Sequence, residues 1–460
     1  MRNTTSKPSR RQFVGGAAAA TIGMFHIVPR YCVAQSRQVP PSEKVRMAAI
    51  GVGGQGGSDL NEFKKTKQVE VVALCDVDLK RSANTYKIFP DAKTFKDYRK
   101  MLDAVEKDVD AVLVATPDHF HAVAAMAALK RGKHVYCEKP MAHSVWEVRQ
   151  MMKAAVDNKV ITQLGNQGHS FDTMRTFAEW VWDGAIGNVH TVHVACNAGN
   201  SAMGHVEEAK VPEPVPSTLD WDQWIGAAAF RPYNHAYCPG TWRSWMPFGT
   251  GTLGDWTCHV VDPVFWALDL GAPETVVAEA KNYDPVKDAD TFPTGCNVTY
   301  KFQAKNGRGP ITMYWHAGDE AIPHPEGVGS DFKVPQTGGL VIGDKGAIMY
   351  GSHGAGQVRI IPAEKNAAYQ EKLAKEPLKK TLPRVKGGHY QNFVDSIKSN
   401  THAGSDFSYG GPLTEIALVG VIAVRNLGNE LQWDGPNMRF KNSEAATAML
   451  TPKFREGWSL

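Results

Sequence analysis

Met47-Ala48-Ala49-Ile50-Gly51-Val52-Gly53-Gly54-Gln55-Gly56 carries an apolar strand into a glycine turn, and a second apolar strand, Val69 to Leu74, closes on Asp76. Gly51 permits the tight turn, Gly53 lets backbone approach a pyrophosphate, and Gly56 lets the next helix pack on the strand. That helix presents unpaired amides and its positive dipole end to the phosphates. Asp76 stands twenty residues after Gly56, a spacing at which a carboxylate accepts both ribose hydroxyls of an adenosine. A glycine-rich surface loop would not need that acid. Gly51, Gly53, Gly54, Gln55, Gly56 and Asp76 are therefore the expected cradle of a dinucleotide.

Outward from this unit the chain alternates strand and helix as far as Gly165. A polar helix is expected up to Phe89, another over Tyr98 to Val105, and a buried strand over Ala111 to Ala115 that ends at Thr116-Pro117-Asp118-His119. An alanine-rich helix from His121 to Lys130 leads to the strand His134 to Cys137, which delivers Glu138-Lys139-Pro140 at its carboxyl end. A helix over Met141 to Asp157 and a strand over Ile161 to Leu164 complete a doubly wound sheet. Ligands bind beyond the carboxyl ends of such strands, so Thr116, Pro117, His119, Glu138 and Lys139 join the expected cofactor edge.

At 460 residues, with 43% hydrophobic and 21% charged side chains, the chain has room for two domains. A formal charge of +4 with scattered lysines and arginines points away from nucleic acid. The seven cysteines form no CxxC or metal-ligand pairs, so neither a metal site nor a disulfide framework is expected. Residues 1–34 differ in kind: Ser9-Arg10-Arg11-Gln12-Phe13-Val14 precedes an Ala/Gly-rich apolar run, and Cys32-Val33-Ala34 offers a cleavage site. This resembles a twin-arginine export signal and implies a periplasmic location, with no stable membrane span once the signal is removed. Residues 35–44 read as a linker, 45–165 as a Rossmann dinucleotide-binding domain and 166–460 as a substrate-binding and oligomerisation domain.

The order of GxGGxG, Asp76, Ala115-Thr116-Pro117 and Gly132-Lys133-His134-Val135-Tyr136-Cys137-Glu138-Lys139-Pro140 resembles the glucose-fructose oxidoreductase/inositol dehydrogenase (Gfo/Idh/MocA) family. Gly249-Thr250-Gly251-Thr252-Leu253-Gly254-Asp255-Trp256-Thr257-Cys258-His259 looks like its second signature. The resemblance implies a catalytic Lys139 beside the nicotinamide and an acid/base role for Asp255 and His259. It also implies an α+β second domain with a large open, mainly antiparallel sheet, which often mediates dimers or tetramers.

The side-chain chemistry supports those roles. Oxidising a secondary alcohol requires a base near neutrality at the hydroxyl as hydride leaves carbon, and a histidine meets that need. Asp255 and His259 are four residues apart, on one face if the segment is helical. Lys139 can stabilise developing alkoxide. Gln167 and His169, after the last strand of the first sheet, and Trp242 with Arg243, an aromatic face beside a charged fork, are candidate substrate contacts. Gly387-Gly388-His389-Tyr390 could close the cleft.

Strand character over Val189 to Cys196, Thr275 to Asn282, Cys296 to Gln303, Ile311 to His316, Gly339 to Ile342 and Ala347 to Tyr350 fits one antiparallel sheet. Pro412 to Leu427 reads as an apolar helix near the cofactor domain. Asp76 repels a 2'-phosphate and favours NAD, while Lys80 and Arg81 keep NADP open. The leading function is an NAD(P)-dependent oxidoreductase acting on a secondary hydroxyl of a sugar, glycoside or cyclic polyol, with tightly held cofactor. One alternative is an NAD-dependent glycosidase or lyase that oxidises a sugar transiently, although similar glycosidases replace the lysine of the EKP motif. The other is a catalytically silent dinucleotide sensor, which intact Lys139, Asp255 and His259 argue against.

Overall fold

Strands whose residues are buried on both faces build the first sheet, the pattern expected where helices cover both sides. The computed structural model describes residues 43–460 except 327, 330 and 331; the expected export signal (1–34), Cys32 and the linker up to residue 42 lie outside the described residues. The strands are β1 Val45–Ile50, β2 Val69–Cys75, β3 Lys93–Phe95, β4 Ala111–Val114, β5 His134–Glu138 and β6 Thr162–Gly165. They run in the order β3-β2-β1-β4-β5-β6, all parallel, so the order reverses between β1 and β4. Val112, Leu113 and Val114 are fully buried, each worth about 1.5–3 kcal/mol of transfer free energy.

The turn after β1 depends on Gly51, which has φ 77° and whose Cβ would lie 2.7 Å from the Ala115 carbonyl oxygen. The Gln55–Lys65 helix follows. Asp78 caps the Leu79–Ile88 helix, accepting from the amides of Lys80 and Arg81. The helix after β4 runs Asp118–Leu129, three residues earlier than the alanine pattern suggests, because Pro117 sits as its N-cap. Ser144 likewise caps Val145–Asp157.

The second sheet contains β7 Val189–Cys196, β8 Thr275–Glu279, β9 Cys296–Phe302, β10 Ile311–Ala317, β11 Gly338–Gly343, β12 Gly346–Gly351, β13 Arg359–Ile361, β14 Leu431–Asp434 and β15 Arg439–Phe440. Its order is β13-β12-β11-β7-β10-β9-β8-β14-β15, and only β7 with β10 pairs in parallel. The Phe407–Val424 helix is apolar enough to cross a membrane by composition, yet 78% of that window is buried. It packs against β8, the Val145–Asp157 helix and the Gly251–Val260 helix, which explains its apolarity as core.

Residues 197–250 leave the sheet and return to the first domain. There an antiparallel bridge joins Asp78 to Leu219, flanked by Leu79 N donating to Thr218 O (3.0 Å) and Asp220 N to Val77 O (2.9 Å). Trp221, Trp224, Tyr237, Trp245 and Phe248 form the apolar core of this excursion.

Candidate active site

A cavity of about 290 Å³ opens beyond the carboxyl ends of β1, β2 and β4, at the strand-order reversal. Gly51, Gly53, Gln55, Asp76, Thr116, Pro117, Glu138 and Lys139 line one side, and Gln223, Trp224, Cys238, Pro239, Trp242 and Arg243 line the other. The Asp76 carboxylate accepts from Val52 N (2.8 Å) and Gly53 N (2.9 Å) on one oxygen and Asp78 N (2.8 Å) on the other. Burial pushes its pKa up, and these three amides pull it back. Asp76 therefore shapes the glycine turn as well as facing the cavity. Thr116 Oγ1 is buried with no partner at the same wall. The glycine cradle, the acid and this orphaned hydroxyl suit a dinucleotide.

At the wall of the cavity β5 delivers Lys139, and behind it the Gly251–Val260 helix delivers Asp255 and His259 one turn apart. Lys139 Nζ donates to Asp255 Oδ1, and Arg243 Nε lies 3.3 Å from the same oxygen. Burial opposes ionisation of Asp255, but the two cations outweigh it and hold the carboxyl below its ordinary value. Arg243 is fixed in turn by Asp118, wholly buried, which also accepts from Thr250 N (3.0 Å) and Thr250 Oγ1 (2.5 Å). His259 is 5% exposed and its Nδ1 has no partner. Burial, reinforced by Lys139, His353 and Arg243, drives its pKa well below that of free histidine. The imidazole is thus neutral at pH 7, the form that accepts a proton.

Residues 45–166 match the family model described as an oxidoreductase family NAD-binding Rossmann fold (GFO_IDH_MocA), and residues 173–323 match that family's C-terminal alpha/beta domain. The chain belongs to the Gfo/Idh/MocA oxidoreductase family. NAD is accordingly its cofactor. Inositol 2-dehydrogenase of Salmonella typhimurium is 29% identical over 178 residues, 38% of this chain and 51% of that protein. A glycosyl hydrolase family 109 protein of Shewanella sp. (strain MR-4) is 30% identical over 169 residues, 32% of this chain and 36% of that protein. The chain thus spans about half or less of the length of these curated relatives. The solved WlbA dehydrogenase from Chromobacterium violaceum, in complex with NADH and UDP-GlcNAcA, shares the fold with a TM-score of 0.60 at 17% identity, covering 86% of this chain and 98% of its own.

Three residues expected at the cleft of this Gfo/Idh/MocA oxidoreductase stand elsewhere. His119, expected at the cofactor edge, falls in the first turn of the Asp118–Leu129 helix and is turned away, its ring nitrogens 3.2 Å from Phe248 O and 3.1 Å from Trp224 O. His169, expected on substrate, is 3% exposed and bound to buried Asp262 at 3.1 Å, with Tyr409 and Trp266 around it. Gln167 gives its amide to Glu138 Oε1 (2.9 Å) and to the hydroxyls of Tyr136 and Tyr390 (both 3.2 Å), so it orients the EKP strand. A helical turn over Gln167–Ser170 folds both side chains inward. Trp242 and Arg243 do reach the cavity, with the guanidinium 4.3 Å above the indole.

Other neighbours of the site carried little sequence signal. His121 staples two loops, with Nδ1 2.7 Å from Pro140 O and Nε2 2.8 Å from Thr116 O. Asp59, fully buried, accepts from Gln55 Nε2 (2.7 Å) and Tyr390 Oη (2.8 Å) on one oxygen, while its other oxygen has no partner. Burial raises both carboxyls, Asp59 to about 6 and Glu138 well above its ordinary value, and the Asp59 charge raises Glu138 further. His389 is buried against Ser170 and the Leu164 carbonyl, and only its neighbour Tyr390 reaches this network. His353, in the glycine-rich turn after β12, sits with its ring centroid 4.1 Å from that of His259. Among the described residues no cluster of His, Cys, Asp and Glu suits a metal ion.

Proposed function

We propose that this protein oxidises or reduces a secondary hydroxyl of a sugar, glycoside or cyclic polyol, using NAD that it holds tightly. The carrying observation is the neutral, buried His259 one helical turn from Asp255, with Asp255 joined to Lys139, which lines the dinucleotide cavity. NAD, when bound, supplies the hydride acceptor or donor. His259 takes the hydroxyl proton, and Lys139 faces the oxygen and stabilises negative charge as it develops. Asp255, held ionised between Lys139 and Arg243, keeps the lysine in place and accepts from a neighbouring substrate hydroxyl. Trp242 offers a flat apolar face to a ring. The substrate class is supported by a relative named for inositol and a structural neighbour solved with a sugar nucleotide.

Retention is supported by the excursion 197–250, which closes the cavity opposite the glycine turn. Export by the twin-arginine route, which carries folded proteins, would deliver the enzyme to the periplasm with its cofactor aboard, to be recycled between two substrates. Assembly into a dimer or tetramer is part of the same reading. Mass spectrometry of cofactor released from dialysed, purified protein, followed by a carbohydrate panel read by nicotinamide absorbance, tests the core proposal. An empty protein inert to every carbohydrate would overturn it. Replacing Arg10 and Arg11 by lysine should trap the protein in the cytoplasm, and light scattering reports the oligomer.

A second reading, transient oxidation followed by elimination or hydrolysis, is favoured by the family 109 relatives. Release of a leaving group without net NADH would select it.

A further inference from the structure

Alcohol oxidation breaks a C–H bond, whose electron pair leaves as hydride to NAD, and an O–H bond, whose proton must reach solvent; the C=O bond forms between the two atoms. His259 receives that proton in a place that does not favour it: the imidazole is 5% exposed, with Lys139 and Arg243 as cationic neighbours. A protonated His259 therefore needs an outlet before the next turnover.

Among the described residues, the one imidazole against it is His353. The ring centroids are 4.1 Å apart with planes tilted 33°, and Trp256 walls both rings at 5.6 and 5.5 Å. His353 is half-buried, so it spans the distance between the enclosed base and solvent. The chain accepts unfavourable backbone to put it there: His353, Ala355 and Gln357 have φ of 47°, 56° and 54°, each costing about 1 kcal/mol or more. The turn is pinned against the segment that follows β6, where a Cβ at Gly168 would lie 2.5 Å from Gly354 N and Thr173 Oγ1 donates to Gly354 O at 2.6 Å. Within the turn, His353 Nδ1 lies 3.1 Å from Ser352 Oγ, a hydroxyl that can pass a proton on.

We propose that His353 is the proton exit of the reacting centre: it receives the proton that His259 takes from the substrate hydroxyl and passes it to water, and it runs in reverse during reduction. This rests on the hydride-transfer reading above. The charged and titratable groups facing His353 are His259 and Asp255 on the Gly251–Val260 helix and Lys139 at the end of β5. Two imidazoles in contact do not both carry charge, so each proton placed on His353 leaves His259 neutral. Among the described residues no hydrogen bond joins the ring nitrogens of the pair directly, so the proposed transfer requires a bridging water.

His353→Asn tests this in the full-length, NAD-loaded enzyme, because asparagine tolerates the left-handed backbone better than other non-glycine residues. In dilute buffer free of imidazole, proton release in a single turnover, followed with a pH indicator, and steady-state turnover should both slow about tenfold or more. KM and NAD content should be unchanged, and added imidazole should restore both rates. Unaltered rates in dilute buffer, or a loss that imidazole does not restore, would overturn the proposal. His259→Asn separates the two readings: it should block hydride transfer in any buffer. Full activity in that variant sinks the acid–base assignment itself, whereas a dead His259→Asn with an imidazole-indifferent His353→Asn removes only the exit.

Discussion

Lys139 and Asp255, 116 positions apart in the chain, form one ion pair at the junction of the two sheets, with each side chain less than a fifth exposed. Neither charge is redundant, since removing one leaves the other poorly solvated in a confined place.

Lys139→Met and Asp255→Asn should each lower kcat by about two orders of magnitude or more while the purified protein retains NAD. The double variant should lose far less than the product of the two, because the pair acts as a unit. Single-turnover absorbance and released-cofactor mass spectrometry check both statements; additive losses would mean that the two residues work independently.

The pH dependence follows from His259. Its folded-state affinity for a proton is depressed, so the base form persists as pH falls below the ordinary histidine value of about 6.5. The acid limb of kcat/KM for alcohol oxidation should therefore lie below pH 6.5, and removing the Lys139 cation should move the residual activity's acid limb upward. A wild-type limb at or above pH 6.5 would show that His259 is solvated or paired during catalysis.

Asp59 carries a stability prediction. Its carboxyl is raised to about 6, mainly by burial, and one of its oxygens has no partner. An acid with raised folded pKa costs stability above that pKa, and the cost disappears as pH falls toward the unfolded value. Asp59→Asn keeps the acceptor used by Gln55 and Tyr390 and can donate to Glu138. It should raise unfolding free energy by about 1–3 kcal/mol at pH 8 and by little at pH 4. Denaturant melts at the two pH values decide; a gain at pH 4 equal to that at pH 8 would exclude the electrostatic origin.

Cofactor choice rests on Asp76, with Arg81 and Lys96 lining the same cavity. Asp76→Ser should raise the NADP to NAD ratio of kcat/KM about tenfold or more by removing like-charge repulsion. It should also cost about 1–3 kcal/mol of stability, because the Val52 and Gly53 amides lose their acceptor. A changed ratio without a lowered Tm would mean that other groups fix the turn.

Much of the fold was legible because period and punctuation agree with it. The helix Tyr98–Val105 and the strand Val189–Cys196 appear with the bounds the sequence suggested. Lys93–Phe95 and Arg359–Ile361, three residues each, were not, since edge strands so short carry no alternation. At the site, Lys139, Asp255 and His259 stood in motifs. His119 and His169 misled because a strand end and the turn that follows it look alike in sequence, and only packing decides which way a ring points. His353 gave no warning: its place depends on the approach of Gly168 to Gly354, a contact between distant segments.

The bridge from Asp78 to Leu219, with its two flanking backbone hydrogen bonds, fastens the excursion across the adenosine side of the cavity. On the proposed reading that the dinucleotide is held tightly, its departure on that side would be an opening reaction of the protein, governed by local unfolding and not by ligand affinity alone. The residence time of NAD would then be written in the backbone between Val77 and Asp220. It should shorten with mild denaturant well before the sheets melt.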